Sequence, residues 1–176
     1  MVPWPAPARV ASATVVESIH HIDLVVTSLE RSLAFFRGLL GPLGYVREGE
    51  ITGERGERVV YLNRVASGGS VGLRERQSHA HPVPYDRYAV GVHHIAFGAS
   101  SRAMVDERAA WLLEQGATIE SEPREYDYIP GYYAVFFHDP DGIKLEIVHR
   151  PDDPDTAALV RELAERVARL GGGGGA

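Results

Sequence analysis

Two hydrophobic periods alternate along the chain, and the alternation happens twice. Residues 19–26 (IHHIDLVV) are rich in β-branched side chains and alternate in character, which predicts a strand. Behind Thr27 or Ser28 as N-cap, Leu29, Leu33, Phe36 and Leu40 recur at helical spacing, and Gly41, Pro42 and Gly44 end that helix. Residues 45–48 read as a short strand and 49–56 as a polar turn. Residues 58–65 and 70–76 read as strands joined at Gly69. Residues 77–90 carry no period and read as a linker. The pattern then restarts. Residues 92–97 predict a strand, and Ser100 or Ser101 caps a helix carrying Met104, Val105, Ala109, Leu112 and Leu113 that ends at Gly116. Residues 117–120 predict a short strand and 121–131 a loop, before two strands, YAVFF and IKLEIV, around the turn DPDG.

The restart is an internal repeat. His20-His21-Ile22 returns as His93-His94-Ile95, and Gly44 returns as Gly116 at nearly the same offset. Each half reads β-α-β-β-β, and a half of that size cannot bury a sheet face alone, so two must pack together. The expected fold is α+β, with two tandem βαβββ modules. The division expected is an N-terminal extension over 1–17, poorly ordered by its Pro and Ala content, modules over 18–76 and 91–150 with the linker 77–90 between them, a C-terminal helix over 151–170 and a glycine tail over 171–176. That last helix carries a stripe of Leu159, Leu163, Val167 and Leu170, the mark of a docking face.

Composition narrows the function. A net charge of −6 over 176 residues argues against nucleic acid, whose phosphates want a basic face. No apolar run reaches the about 18 residues of a membrane span. The absence of cysteine removes disulfides, thiolate metal sites and a thiol nucleophile. The first residues lack the basic start and apolar core of a signal peptide, so a cytoplasmic location is expected.

The period-two rule sorts the strand residues by face. Ile22, Leu24 and Val26 oppose His21, Asp23 and Val25; Ile95 and Phe97 oppose His94, Ala96 and Gly98; Leu145 and Ile147 oppose Lys144, Glu146 and Val148. The apolar sets should face the helices, taking His20 and His93 with them. His21, His94 and Glu146 then line a shared concave face. Two imidazoles and one carboxylate suit a divalent Fe, Mn, Co, Ni or Zn ion and leave positions open for substrate. The structural rival is an ion pair between Lys144 and Glu146, two residues apart on one face. Asp23, beside His21, is the candidate proton acceptor; the alternative is a carboxylate that orients a neighbouring Arg or a ligand His. The loop EYDYIPGYY offers Tyr126, Tyr128 and Tyr132 as pocket wall and hydroxyl handles, with Tyr128 a second catalytic candidate. Arg74 could hold an anionic substrate or face solvent, and His79 and His81 read as a solvated linker segment.

The segments HHIDLVVTSLERSLAFFRGLLGPLGY and VHHIAFGASSRAMVDERAAWLLEQGA resemble the two module openings of the vicinal oxygen chelate superfamily, and DPDGIKLEIVH resembles its closing strand pair. The resemblance covers roughly residues 18–150. This group contains glyoxalase I, bleomycin-resistance proteins, fosfomycin-resistance enzymes, methylmalonyl-CoA epimerase and type I extradiol dioxygenases. The resemblance implies a curved mixed sheet around a metal-containing cleft, with one divalent metal on His21, His94 and Glu146. It also implies a small oxygenated substrate chelated to that metal, and a homodimer in which the triad forms within one chain or across two. Three positions depart from particular members. Gly72 stands where glyoxalase I and the epimerase carry a fourth ligand, and Val25 where glutathione-dependent glyoxalases carry an Arg. Phe136 stands where the dioxygenases carry an acid/base Tyr, and it reads as a substrate contact. The expectation is a metal-dependent lyase, isomerase or ring-cleaving dioxygenase other than glutathione-dependent glyoxalase I. The alternatives are a bleomycin-resistance-like sequestering protein and a fosfomycin-type thiol transferase.

Overall fold

Strand β1 (His21–Val26) leads into helix α1 (Leu29–Leu40), whose first turn is capped by the Ser28 hydroxyl accepting from Arg31 N–H. A single 3-10 turn, Gly41–Leu43, and a left-handed Gly44 (φ 94°) reverse the chain into β2 (Tyr45–Thr52). β3 (Arg58–Arg64) and β4 (Ser70–Glu75) complete the first module. The second module repeats the order as β5 (Ile95–Gly98), α2 (Arg102–Glu114), β6 (Ile119–Glu125), β7 (Tyr133–His138) and β8 (Lys144–His149), with Ser101 capping α2. The computed structural model describes residues 19–65, 69–78, 80, 85–151 and 165. The expectations for residues 1–17, for the C-terminal helix and glycine tail, and for His79 and His81 fall outside the described residues.

The α+β architecture expected from the repeat is present as two four-stranded mixed sheets, ordered β1-β4-β3-β2 and β5-β8-β7-β6. In each, the first strand pairs in parallel with the last and the remaining pairs are antiparallel. The apolar sets face the helices as the alternation requires. Leu24, Val26, Leu33, Phe36, Leu73, Phe97, Leu112 and Ile147 all belong to one buried cluster that spans both modules. Two polar ties join the modules at its margin. Asp141 of the β7–β8 turn accepts from Thr27 N–H and Arg31 Nη2, and Arg108 Nη1 donates to Gly38 O at 2.9 Å.

Three boundaries differ from expectation. β2 runs through the stretch 49–52, and β6 runs through 121–125, which was expected to be loop. Both are edge strands, paired on one side only, with much of their length exposed. Their polar residues satisfy the ladder without the apolar alternation that would announce them. β5 begins at Ile95 because the Val92 and His93 carbonyls accept from the Tyr85 hydroxyl instead of a neighbouring strand. On α2, Leu113 is exposed, and the buried face is Val105, Arg108, Ala109 and Leu112.

Candidate metal centre

In the second module, β5 and β8 run side by side with Ala96 opposite Glu146, and Phe136 on β7 lies opposite Glu146 on the other side. His94 sits one residue before β5, at the same end of the sheet. Its Nε2 lies 3.1 Å from Glu146 Oε2. Glu146 is 1% exposed, and its Oε1 accepts from the Tyr132 hydroxyl at 2.6 Å. Burial and that bond push the Tyr132 phenol well above its ordinary range.

The rival pairing of Lys144 with Glu146 does not form. Lys144 Nζ donates to Glu120 Oε1 at 2.7 Å and lies 4.5 Å from the centre of the Phe136 ring. Glu120 also accepts from Arg87 and bonds His138 Nε2. Burial alone would raise its pKa, but these three partners hold it down to about 2. A buried carboxylate is costly unless compensated. Among the described residues, no Lys or Arg pairs with Glu146.

The tyrosine loop forms one wall of this half. Tyr126 stands edge-on to Phe136 at 5.3 Å and stacks on Tyr128 at 5.4 Å, and Tyr128 meets Tyr132 edge-on at 5.3 Å. Tyr126 donates to Ser121 Oγ and Tyr128 is mostly exposed. Tyr133 turns to the opposite side and donates to Asp106 of α2.

In the first module, His21 lines a cavity of about 380 Å³ with His20, Gly49, Ile51, Tyr61 and Ser70, and its ring stands edge-on to Tyr61 at 5.8 Å. Asp23, Gly72 and Tyr61 lie abreast on β1, β4 and β3. Asp23 Oδ2 accepts from Arg74 Nη2 at 2.5 Å and from the Tyr61 hydroxyl at 3.2 Å, and Arg74 also pairs with Glu57. Arg74 therefore does not face solvent as a free cation. It takes the orienting contact with Asp23 that was the alternative to a free base. The two sheets are register-equivalent here: Gly72 lies opposite Asp23 as Glu146 lies opposite Ala96. The carboxylate stands on the last strand in one module and on the first strand in the other.

The histidine pairs require a correction. His20 and His93 do not join the helix-covered face. Both are exposed, and each ring bonds the ring of the next residue, His20 Nδ1 to His21 Nδ1 at 2.9 Å and His93 Nδ1 to His94 Nδ1 at 2.8 Å. Both pairs precede or open a strand, where the pleat does not yet force alternate directions. Sequence reasoning offered no signal for these contacts, nor for the choice of Glu120 by Lys144 across the sheet.

His94 and Glu146 are thus together, while the cavity of His21 is lined by the first module alone. Among the described residues, no group of three or more His, Asp or Glu side chains stands close enough to hold a metal ion. The His94–Glu146 pair nevertheless fits one. Two donors each about 2.1 Å from an ion and near a right angle stand about 3 Å apart, and the observed separation is 3.1 Å. A divalent ion would also supply the positive charge that this buried carboxylate lacks.

Comparison with known proteins gives a consistent picture. The model of the Glyoxalase/Bleomycin resistance protein/Dioxygenase superfamily matches residues 18–147. The uncharacterized proteins YqjT and YwkD of Bacillus subtilis (strain 168) are each 33% identical over 135 residues. The match covers 74% of this chain and 97% and 95% of theirs. Among solved structures, a Bacillus halodurans protein aligns with a TM-score of 0.61 at 29% identity, covering 79% of this chain and all (100%) of its own. A glyoxalase/bleomycin resistance protein from Albidiferax ferrireducens T118 aligns with a TM-score of 0.58 at 25% identity, covering 76% of this chain and 98% of its own.

Proposed function

The chain belongs to the Glyoxalase/Bleomycin resistance protein/Dioxygenase superfamily, and from that premise we propose that it is a divalent-metal-dependent enzyme acting on a small oxygenated molecule. The reaction class is lyase, isomerase or ring-cleaving dioxygenase. The observation that carries this reading is Glu146, buried to 1% exposure with His94 and a tyrosine hydroxyl as partners and, among the described residues, no Lys or Arg paired to it. His94 and Glu146 supply two ligands from one copy. His21 supplies the third from a second copy, because within its own chain only first-module residues line the cavity beside it. The working unit is then a homodimer with two composite sites.

When bound, the ion would polarise neighbouring substrate oxygens as a Lewis acid. The rest falls to this chain's own groups. Tyr132 holds the Glu146 carboxylate in one orientation through Oε1. Phe136, Tyr126 and Tyr128 form an aromatic wall that shields the bound substrate. Asp23, bonded to Arg74 and Tyr61, fixes the Arg74 guanidinium on the His21 side.

The test uses protein purified without chelator and titrated with Co²⁺, Zn²⁺, Mn²⁺ and Fe²⁺. About one equivalent per chain is expected in the parent, with strongly weakened binding in His21→Ala, His94→Ala and Glu146→Gln. Mixing His21→Ala with His94→Ala after reversible dissociation should restore one intact site per heterodimer. A site built within one chain would not be restored by mixing. Uptake below a tenth of an equivalent in the parent would overturn the enzyme reading in favour of a sequestering protein.

A further inference from the structure

The two histidine pairs share one geometry. His93 and His94 meet through their Nδ1 atoms at 2.8 Å with 79° between ring planes, and His20 and His21 do so at 2.9 Å and 86°. Two ring nitrogens at that distance share one hydrogen, so one ring donates and the other accepts. On its far side, His94 Nε2 faces Glu146 Oε2, a carboxylate oxygen that only accepts. With the His94 ring neutral, its Nε2 carries the hydrogen, its Nδ1 is bare, and His93 Nδ1–H donates to it. A metal ligand needs the opposite arrangement: a bare Nε2 and a hydrogen on Nδ1, which must then find an acceptor.

We propose that His93 is a positioning residue that serves His94 in both arrangements, as donor when no ion is bound and as acceptor when one is. The inference rests on the metal-site reading above. The hydrogens balance. His94 releases one from Nε2 to solvent and receives at Nδ1 the one that His93 Nδ1 gives up. His93 then takes one from solvent at its own Nε2. Both rings stay neutral throughout. A carbonyl could serve only the ion-bound arrangement and a backbone N–H only the other, whereas an imidazole serves both. The His93 ring is itself held for this work. Tyr88 stands edge-on to it at 5.6 Å, and the Tyr85 hydroxyl donates to the His93 carbonyl at 3.0 Å. The His20–His21 contact repeats the ring-to-ring geometry in the first module.

The test is a long-range ¹⁵N–¹H spectrum of histidine-labelled full-length protein near pH 8, metal-free and loaded with Zn²⁺, with Zn²⁺ affinity measured in parallel. In the metal-free parent, His93 carries its hydrogen on Nδ1, the form that free imidazole in water disfavours. With Zn²⁺ it moves to Nε2. His93→Phe, which keeps the ring shape without the nitrogens, binds Zn²⁺ about 10- to 100-fold more weakly. His93→Gln, with both a donor and an acceptor, recovers most of that loss. A hydrogen on the same nitrogen of His93 in both states overturns the proposal, as does unchanged affinity in a folded His93→Phe. If the parent takes up no Zn²⁺, the metal-site reading fails by itself. The metal-free spectrum then decides: Nδ1–H on His93 supports the positioning contact and Nε2–H removes it.

Discussion

The carboxylate of Asp23 occupies the space into which a side chain at Gly72 would project. A Cβ at position 72 would lie 2.2 Å from Asp23 Oδ1 and 2.7 Å from Tyr61 Cε1. Asp23 Oδ1 is buried and has no hydrogen-bond partner among the described residues, so the glycine is the condition under which β1 can carry a carboxylate at this row. Gly72→Ala should destabilise the fold by about 1–3 kcal/mol through overpacking, read as a lower urea midpoint at unchanged slope. In an Asp23→Ala background the same change should cost less, though not nothing, because Tyr61 still crowds the site. Equal costs in both backgrounds would show that Asp23 does not fill that space.

The repeat and the strand faces were legible because they depend on local alternation. His20-His21-Ile22 and His93-His94-Ile95 open matching strands, and Leu24, Phe97, Leu145 and Ile147 lie buried on the side the period assigns them. What was not legible depends on partners far along the chain. Arg74 reaches Asp23 from 51 residues away, and Lys144 passes over Glu146 for Glu120. The edge strands β2 and β6 have exposed, charged positions where alternation would be expected, so they read as turn and loop. His21, His94 and Glu146 could each be assigned a face of their strand from sequence. Whether one chain brings all three together depends on how the modules dock, which strand periodicity does not encode.

Tyr132 is the only hydroxyl on Glu146 among the described residues. Tyr132→Phe leaves Oε1 of a buried carboxylate without its donor, which should cost about 1–3 kcal/mol of stability. Chemical denaturation would measure it. In the metal titration, the same variant should bind ions more weakly than the parent but more tightly than Glu146→Gln, since the ligand atoms remain and only their orientation is loosened. A stability equal to that of the parent would mean that water replaces the hydroxyl at no cost.

The helices approach closely at Gly38. A Cβ there would lie 2.2 Å from Trp111 Cζ2, and the Gly38 carbonyl accepts from the buried Arg108. Gly38→Ala gains helix propensity, worth up to about 1 kcal/mol, yet must move Trp111 or separate α1 from α2. The clash should win, with a net loss of about 1–3 kcal/mol. Trp111→Leu in the same chain should relieve much of it. Stabilisation by Gly38→Ala alone would contradict the close crossing.

Glu120 should make the fold acid-sensitive. Burial opposes its ionisation, but bonds from Lys144, Arg87 and His138 hold its pKa at about 2, against an ordinary 4.5. A depressed folded-state pKa contributes stability that is complete above about pH 4.5 and is lost as the pH falls towards 2. Glu120→Gln should therefore lower Tm at pH 7, and the gap to the parent should close over that acid window. A gap that persists at pH 2 would place the cost in packing rather than charge.

Asp139, at the head of the β7–β8 turn, should act with the opposite sign. It is 5% exposed, its Oδ1 accepts from Asp141 N–H and Ile143 N–H, and its Oδ2 has no partner among the described residues. Burial outweighs those two bonds and pushes the carboxyl from 3.8 up to about 6. Because the folded state holds this proton more tightly, its contribution to stability is complete below about pH 3.8 and is lost as the pH rises through 6. The loss is on the order of 3 kcal/mol. Asp139→Asn keeps the Oδ1 acceptor and cannot ionise. Its Tm profile should lack the decline between pH 4 and 6 that this carboxyl imposes on the parent, and at pH 7 to 8 it should match or exceed the parent. Parallel profiles for the two proteins across that window would show that Asp139 ionises in the folded state as readily as in the unfolded chain.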